Sequence, residues 1–265
     1  MRSLLCRPRT VFFSKTVRRI IMKQSLFTIQ SNEKLTDSVC KMVLAGDTSA
    51  ITASGQFVNI QLKGFFLRRP ISVCDYDENT LTILYKVVGK GTEAMSKMTP
   101  NHKLDVLTGL GNGYDTSVSG DKPLLIGGGV GVPPMYRLAK NLVAEGKHPV
   151  VILGFNTAAE VFYKEEFEKL GVEVHVATAD GSVGTKGFVT DVVKTIPDYT
   201  YFYTCGPEPM LKALSDVTTT SGQLSFEERM GCGFGACMGC SCQTKYGNKR
   251  ICKDGPVLVK EEIIW

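Results

Sequence analysis

Cysteine is the residue type that most constrains this chain. Nine occur in 265 residues, and five of them, Cys232, Cys237, Cys240, Cys242 and Cys252, crowd into the twenty-one residues from 232 to 252. A secreted disulfide scaffold is usually shorter and spreads its cysteines more evenly, so the clustering points to a metal in a reducing, cytoplasmic compartment. From Gln223 onward the chain reads as irregular, rich in glycine and cysteine and too poor in apolar residues to build a core of its own. A bound metal supplies the organisation that such a segment lacks.

Four residues separate Cys232 from Cys237, two separate Cys237 from Cys240, and eleven separate Cys240 from Cys252. Thiolate sulfur is soft and is readily deprotonated by a metal, which suits iron. The interval of four and then two resembles the plant-type 2Fe–2S run, in which a tight loop wraps the cluster. Gly231, Gly233, Gly235 and Gly239 fit that loop, because small residues let backbone N–H groups approach the sulfurs. Cys232, Cys237, Cys240 and Cys252 are therefore the expected ligands, with Cys242 spare. The competing reading is a structural zinc site, which usually shows paired Cys-x-x-Cys units where this chain has one.

The formal charge of +5 is misleading, because residues 1–22 carry Arg2, Arg7, Arg9, Lys15, Arg18 and Arg19 and no acid. Without those six charges the remainder stands at −1, and a nucleic-acid role loses its electrostatic support. The basic stretch reads as a targeting peptide, a membrane-surface arm or an extension from an upstream start codon. The third is preferred, since Met22 opens a segment that reads as a protein start followed by a strand. No apolar run approaches the ~20 residues that span a bilayer, and no membrane association is expected.

The remaining texture divides into three parts, with expected boundaries at 23–119, 120–222 and 223–265. In the first, Leu26–Ile29, Val39–Leu44, Phe57–Leu62, Ile71–Val73, Thr80–Val88 and Lys103–Leu107 read as strands separated by turn residues, with one short helix over Thr92–Met98. Many short strands of this kind suggest an antiparallel barrel or sandwich. In the second, strands at Leu124–Ile126, Pro149–Gly154, Glu173–Ala177 and Tyr199–Thr204 alternate with helices near 134–145, 163–170, 188–194 and 207–215. That alternation predicts a doubly wound parallel sheet. The third part is the small irregular cysteine segment.

Three further constellations carry chemistry. Gly127-Gly128-Gly129-Val130-Gly131-Val132-Pro133-Pro134 follows a strand and opens a helix, where backbone N–H groups and the helix N-terminus cradle a pyrophosphate. It departs from GxGxxG, and a plain tight turn is the alternative. Arg69-Pro70-Ile71-Ser72, Leu84-Tyr85-Lys86 and Gly91-Thr92 offer a fixed cation, hydroxyls and an aromatic ring that would stack on a flat cofactor. Each of these also has a bland reading as a surface Arg pair, a core Tyr or a loop. Cys205-Gly206-Pro207 ends the last parallel strand, where ligands of open α/β sheets gather, although Cys205 equally suits a small buried residue. His102, His148 and His175 lie far apart, no Ser-His-Asp or Cys-His pattern is present, and no catalytic acid–base residue is assigned.

Taken in order, these motifs resemble the ferredoxin–NAD(P) reductase superfamily. Arg69 to Ser72 and Gly91-Thr92 match its flavin signatures, and Gly127 to Pro134 with Cys205 to Met210 match its pyridine-nucleotide signatures. With the C-terminal cysteines added, the chain from about Met22 is similar to the electron-transfer subunits of NAD-dependent dihydroorotate dehydrogenases. The resemblance implies a β-barrel domain carrying FAD, held by Arg69, Pro70, Ile71, Ser72, Leu84, Tyr85, Lys86, Gly91 and Thr92. It implies an α/β domain receiving NAD at Gly127, Gly128, Gly129, Gly131, Pro133, Cys205, Gly206 and Pro207. It further implies a 2Fe–2S cluster, a catalytic FMN-containing dihydroorotate dehydrogenase subunit as partner, two of each in the assembly, and a place in pyrimidine biosynthesis. No acid stands at Gly154-Phe155-Asn156 to separate NAD from NADP, so NAD rests on the resemblance. Small subunits of NADPH-dependent ferredoxin oxidoreductases or sulfide dehydrogenases look similar across all three parts, and a zinc-stabilised binding protein without redox chemistry is the alternative of a different class.

Overall fold

The computed structural model describes residues 22–265, so the readings of the basic stretch before Met22 lie outside the described residues. The first part closes into a barrel. Its strands are β1 (Lys23–Lys34), β2 (Val39–Ala45), β3 (Phe57–Gln61), β4 (Arg69–Tyr76), β5 (Thr80–Lys86) and β6 (Lys103–Leu110), with helix α1 (Lys90–Ser96) between β5 and β6. They close antiparallel in the order β1-β2-β5-β4-β3-β6. Side chains alternate across each strand, so Val58 and Ile60 of β3 and Leu81, Ile83 and Tyr85 of β5 fill the interior. The alternate residues face outward: Phe57 packs on the cysteine segment and Leu84 on the α/β domain. Met95 of α1 closes one mouth of the barrel, where Asn32 donates to the carbonyls of Met95 and Met98 at 2.9 Å each.

The second part is the expected parallel sheet. It comprises β7 (Pro123–Gly128), α2 (Val132–Ala144), β8 (Val150–Phe155), α3 (Lys164–Glu168), β9 (Glu173–Thr178), β10 (Thr185–Lys186), α4 (Val189–Val193), β11 (Tyr201–Cys205), α5 (Glu208–Val217) and β12 (Gly222–Ser225). Two buried clusters, one on each face, explain why its strands are continuously apolar. The strand order is β10-β9-β8-β7-β11-β12, with the late strand β15 (Val257–Val259) at the edge beside β12, so the winding reverses between β7 and β11.

The cysteine segment is irregular around its thiols, but its two ends are strands that the sequence does not announce. β12 pairs parallel with β11, and β15 (Val257–Val259) pairs antiparallel with β12. Between them lies the hairpin β13 (Ser241–Thr244) and β14 (Gly247–Arg250). Runs of three or four residues are too short to show a period, and their strand character comes from the sheet edge they complete.

The barrel and the α/β domain share one core, in which Val39, Cys74 and Leu84 meet Leu125, Val132 and Met135. At its rim Asp75 of β4 accepts from Arg137 at 3.0 Å and from Lys140 at 2.6 Å, both on α2. The Arg137 guanidinium also lies 4.0 Å from the Tyr76 ring centroid. This partly exposed triad fixes the angle of α2 against the barrel. Asp75→Ala strands two cations at the seam and is expected to lower stability by about 1–2 kcal/mol. A denaturation midpoint unchanged from the parent chain would remove the triad from the account of the domain contact.

Candidate cofactor and thiolate sites

The α/β domain carries a cleft of about 530 Å³ at the carboxyl ends of its strands. It opens where the winding reverses, the place at which open α/β sheets bind ligands. Cys205 stands in register with Gly127, so the loop after β11 lies beside the loop after β7. The fit is tight: a Cβ on Gly131 would sit 2.1 Å from the Cys205 carbonyl oxygen, so only glycine allows the two loops to meet. Gly129 takes φ +52°, turning the chain into α2, whose first turn carries Pro133 and Pro134 where missing N–H donors cost nothing.

Among the residues marked out from sequence, Gly128, Gly129, Gly131, Gly206, Pro207 and Lys86 line this cleft. Gly127, Pro133 and Cys205 lie behind the wall they support. Cys205 is 1% exposed, and burial pushes its thiol up to about 12, so it is a neutral packing residue.

Two acidic residues of the cleft, Glu160 and Glu227, lie outside the sequence motifs. Glu160 lines the cleft beyond the end of β8, and its Oε2 accepts from the Asn156 backbone N–H at 3.2 Å and from Asn156 Nδ2 at 2.9 Å. A short turn over Ala158–Glu160 carries it back to the strand end. The acid missing at Gly154-Phe155-Asn156 is thus supplied four residues later, and only the turn reveals it. Glu227, just after β12, stands at the same cleft. Surrounding protein lifts its carboxyl above the usual carboxylate range by desolvation.

The barrel residues gather at one edge of the barrel. The pairing of Val73 with Ile83 brings the start of β4 alongside the end of β5. The Arg69 guanidinium lies across Gly91 at the head of α1, its Nε 2.2 Å from where a Cβ would stand. Thr92 Oγ1 closes the turn before the helix, accepting from Val88 N–H at 3.0 Å and donating to the Gly89 carbonyl at 3.1 Å. Arg69, Pro70, Ile71 and Ser72 are all half-buried and reachable. Tyr85 corrects an expectation. It is 1% exposed, inside the barrel, with its hydroxyl donating to Asn32 Oδ1 at 2.9 Å, so its ring is not available to stack on a flat cofactor. Strand alternation turns Tyr85 inward and leaves only its backbone at this edge. Leu84, on the opposite face of β5, is buried in the domain contact.

The four expected thiols form two pairs, Cys232 with Cys237 and Cys240 with Cys252, close enough that Cys232 also acts on Cys252. Cys237 is exposed and Cys232 half-buried, whereas Cys240 and Cys252 are 2% and 1% exposed. Cys232 Sγ accepts from Ala236 N–H at 3.2 Å and Cys237 N–H at 3.5 Å, and Cys240 Sγ accepts from Cys252 N–H at 3.4 Å. Burial raises the Cys232 thiol, but these N–H groups, that of Phe234 and the Cys237 thiol outweigh it and draw it down to about 6. Cys252 goes the other way, up to about 12, through burial and then its neighbour Cys240. Among the described residues no three ligating side chains converge on a single point. A 2Fe–2S group asks for two thiolates on each iron, and two adjacent thiol pairs answer that demand. Cys242 lies in the hairpin, lining a separate hollow with Glu228 and Trp265.

Comparison with known proteins bears on the whole chain. Residues 227–264 match the family described as the iron–sulfur cluster binding domain of dihydroorotate dehydrogenase B, and residues 125–216 match the oxidoreductase NAD-binding domain. The chain is 43% identical to the dihydroorotate dehydrogenase B (NAD(+)) electron transfer subunit of Fusobacterium nucleatum, over 91% of this chain and 99% of that one. It is 42% identical to the same subunit of a Geobacillus strain, over 92% and 100% respectively. A solved structure of an NADH-dependent reduced ferredoxin–NADP oxidoreductase superposes with a TM-score of 0.82 at 29% identity, covering 91% of this chain and 90% of that one. A ferredoxin NADP+ reductase from Neisseria gonorrhoeae shares the fold at a TM-score of 0.63 and 17% identity, over 78% and 94%. With this identity sustained along nearly its whole length, the chain belongs to the family of dihydroorotate dehydrogenase B (NAD(+)) electron transfer subunits.

Proposed function

We propose that this chain carries electrons from a dihydroorotate-oxidising, FMN-containing catalytic subunit to NAD+, through a 2Fe–2S cluster and an FAD that it holds, in pyrimidine biosynthesis. The observation that carries the proposal is where the thiol pairs lie. Cys240 and Cys252 pack with Phe57 of β3, and Phe57 pairs across the sheet with Ser72 of the flavin motif. Cys237 stands at the surface, flanked by exposed Phe234 and Met238. One side of the cluster site therefore abuts the barrel, and the other offers an apolar lip to a partner.

FAD supplies the exchange between single electrons and a hydride, which a 2Fe–2S cluster cannot perform and NAD+ requires. Arg69 holds its phosphates beside the head of α1, with Ser72, Thr92 and the backbone of Leu84–Lys86 completing the seat. The Gly128–Gly131 turn presents backbone N–H groups to the dinucleotide pyrophosphate, and Gly206-Pro207 walls the nicotinamide end. Glu160 accepts from the ribose 2′-hydroxyl and repels a 2′-phosphate, selecting NAD. The domains divide at 23–119, 120–222 and 223–265, two copies join two catalytic subunits, and the assembly works in the cytoplasm, where thiols stay reduced. Among the described residues no helix is long and apolar enough to cross a membrane.

The likeness to a ferredoxin–NADP oxidoreductase structure keeps a second reading in view, in which the partner is a large second flavoprotein. Anaerobic purification with the natural partner separates the two. Dihydroorotate-dependent NAD+ reduction, with flavin bands and a broad absorbance that bleaches on reduction, is the expected result. A colourless protein containing zinc would overturn both readings.

Two substitutions test the residue roles. Cys240→Ser is expected to abolish the electron paramagnetic resonance signal of the reduced cluster, and Cys242→Ser to keep it; loss of the signal in both refutes the ligand set. Glu160→Ala is expected to shift the ratio of kcat/KM for NADH over NADPH toward NADPH by about tenfold, read with an artificial electron acceptor. An unmoved ratio removes Glu160 from the nucleotide site.

A further inference from the structure

Asn59 lies in the middle of β3 and points out of the barrel, between Val58 and Ile60, which point in. It is 1% exposed, an unusual place for an amide. Its Nδ2 donates to the backbone carbonyl of Cys232 at 3.3 Å, and its Oδ1 is buried without a partner. The orientation is settled by chemistry, since the reverse amide would set two oxygens face to face. Burying a half-satisfied amide lowers stability compared with an apolar side chain of the same shape. The bond to Cys232 is the one gain to set against that loss.

The neighbours hold Asn59 rigidly. Arg68 Nη1 donates to the Asn59 carbonyl and to the Asp105 carbonyl at 3.2 Å each, while Arg68 Nη2 meets the Asp105 carboxylate at 2.8 Å. On the loop side, Gly233 takes φ +80°, and a Cβ there would come within 2.4 Å of Asn59 Nδ2. Across the sheet Asn59 pairs with Pro70, which places both side chains on the same face of the sheet. Among the described residues, Asn59 makes the one hydrogen bond from the barrel to the loop Gly231–Gly239.

We propose that Asn59 is a positioning residue for electron transfer: it ties the first cluster ligand, Cys232, to the barrel face that carries the flavin motif. Its amide fixes the Cys232 carbonyl and, through the short loop to Cys237, the N–H groups that bind Cys232 Sγ. The distance and the hydrogen bonding around this thiolate are then set from the flavin side rather than by the loop alone. The inference rests on the reading that a 2Fe–2S cluster and an FAD exchange electrons within this chain.

The test uses the complex of this chain with its catalytic subunit and compares Asn59→Leu, of equal shape without the donor, with Asn59→Asp, which also removes the donor but keeps a polar group. Both are expected to retain FAD and to reduce an artificial acceptor with NADH within twofold of the parent. Both are expected to shift the electron paramagnetic resonance spectrum and midpoint potential of the cluster, and to slow dihydroorotate-dependent NAD+ reduction by about tenfold. A spectrum and potential identical to the parent in either variant overturn the proposal, as does an equal fall in both activities. If the parent complex itself shows no cluster signal, the wider reading fails before the variants are compared.

Discussion

The structure hinges on how a segment without a core of its own is fastened. Its ends are strands of the parallel sheet, β12 beside β11 and β15 beside β12. A third fastening comes from the barrel. Asn112, just past β6, donates through Nδ2 to the Val257 carbonyl at 2.7 Å, accepts from the Val257 N–H at 3.0 Å, and gives its own N–H to the Gly255 carbonyl at 2.6 Å. An asparagine here does the work of an extra strand residue, satisfying backbone groups that would otherwise be buried unpaired. The thiols thus lie on a loop whose entry and exit are fixed by both larger domains. A loop of glycines held only by its own contacts would fluctuate, and the separation between the thiols and the barrel face would fluctuate with it.

The same logic governs the cleft. Its walls come from the loops after β7 and β11, which touch so closely that Gly131 admits no side chain, and from Lys86 and Val39 of the barrel. A nucleotide bound there meets both domains at once. The shared core and the Asp75 triad therefore serve the cleft as much as they serve stability, since a tilt of α2 would move the Gly128–Gly131 turn relative to the barrel.

Much of this was legible in sequence because it depends on local pattern. The barrel strands show alternation, the parallel strands show short apolar runs, and the glycine turn sits between a strand and a helix. The cysteine intervals single out four thiols that the fold brings into two pairs. Four features were not legible, and each for a physical reason. The edge strands β12 and β15 are too short to show a period. Tyr85 looks like a stacking ring until strand alternation, set by its neighbours Ile83 and Leu84, turns it inward. Glu160 stands four residues past Asn156 and is brought back to the strand end by a turn whose hydrogen bonds to Asn156 close the gap. Asn59 is the extreme case: nothing in Phe57-Val58-Asn59-Ile60 marks it, because its partner is a carbonyl 173 residues away.

The thiols also differ in a way that spacing alone does not show. One pair is near the surface and receives several backbone N–H bonds, so Cys232 is drawn toward its thiolate form; the other is buried against Phe57 and Leu107 of the barrel. Iron held by the first pair would lie in the more polar, hydrated setting, and iron held by the second in the drier one. Reduction adds negative charge, which N–H donors and water stabilise and an apolar wall does not. The packing of Cys240 and Cys252 on Phe57 would therefore set the surroundings of the inner iron as much as ligation itself does.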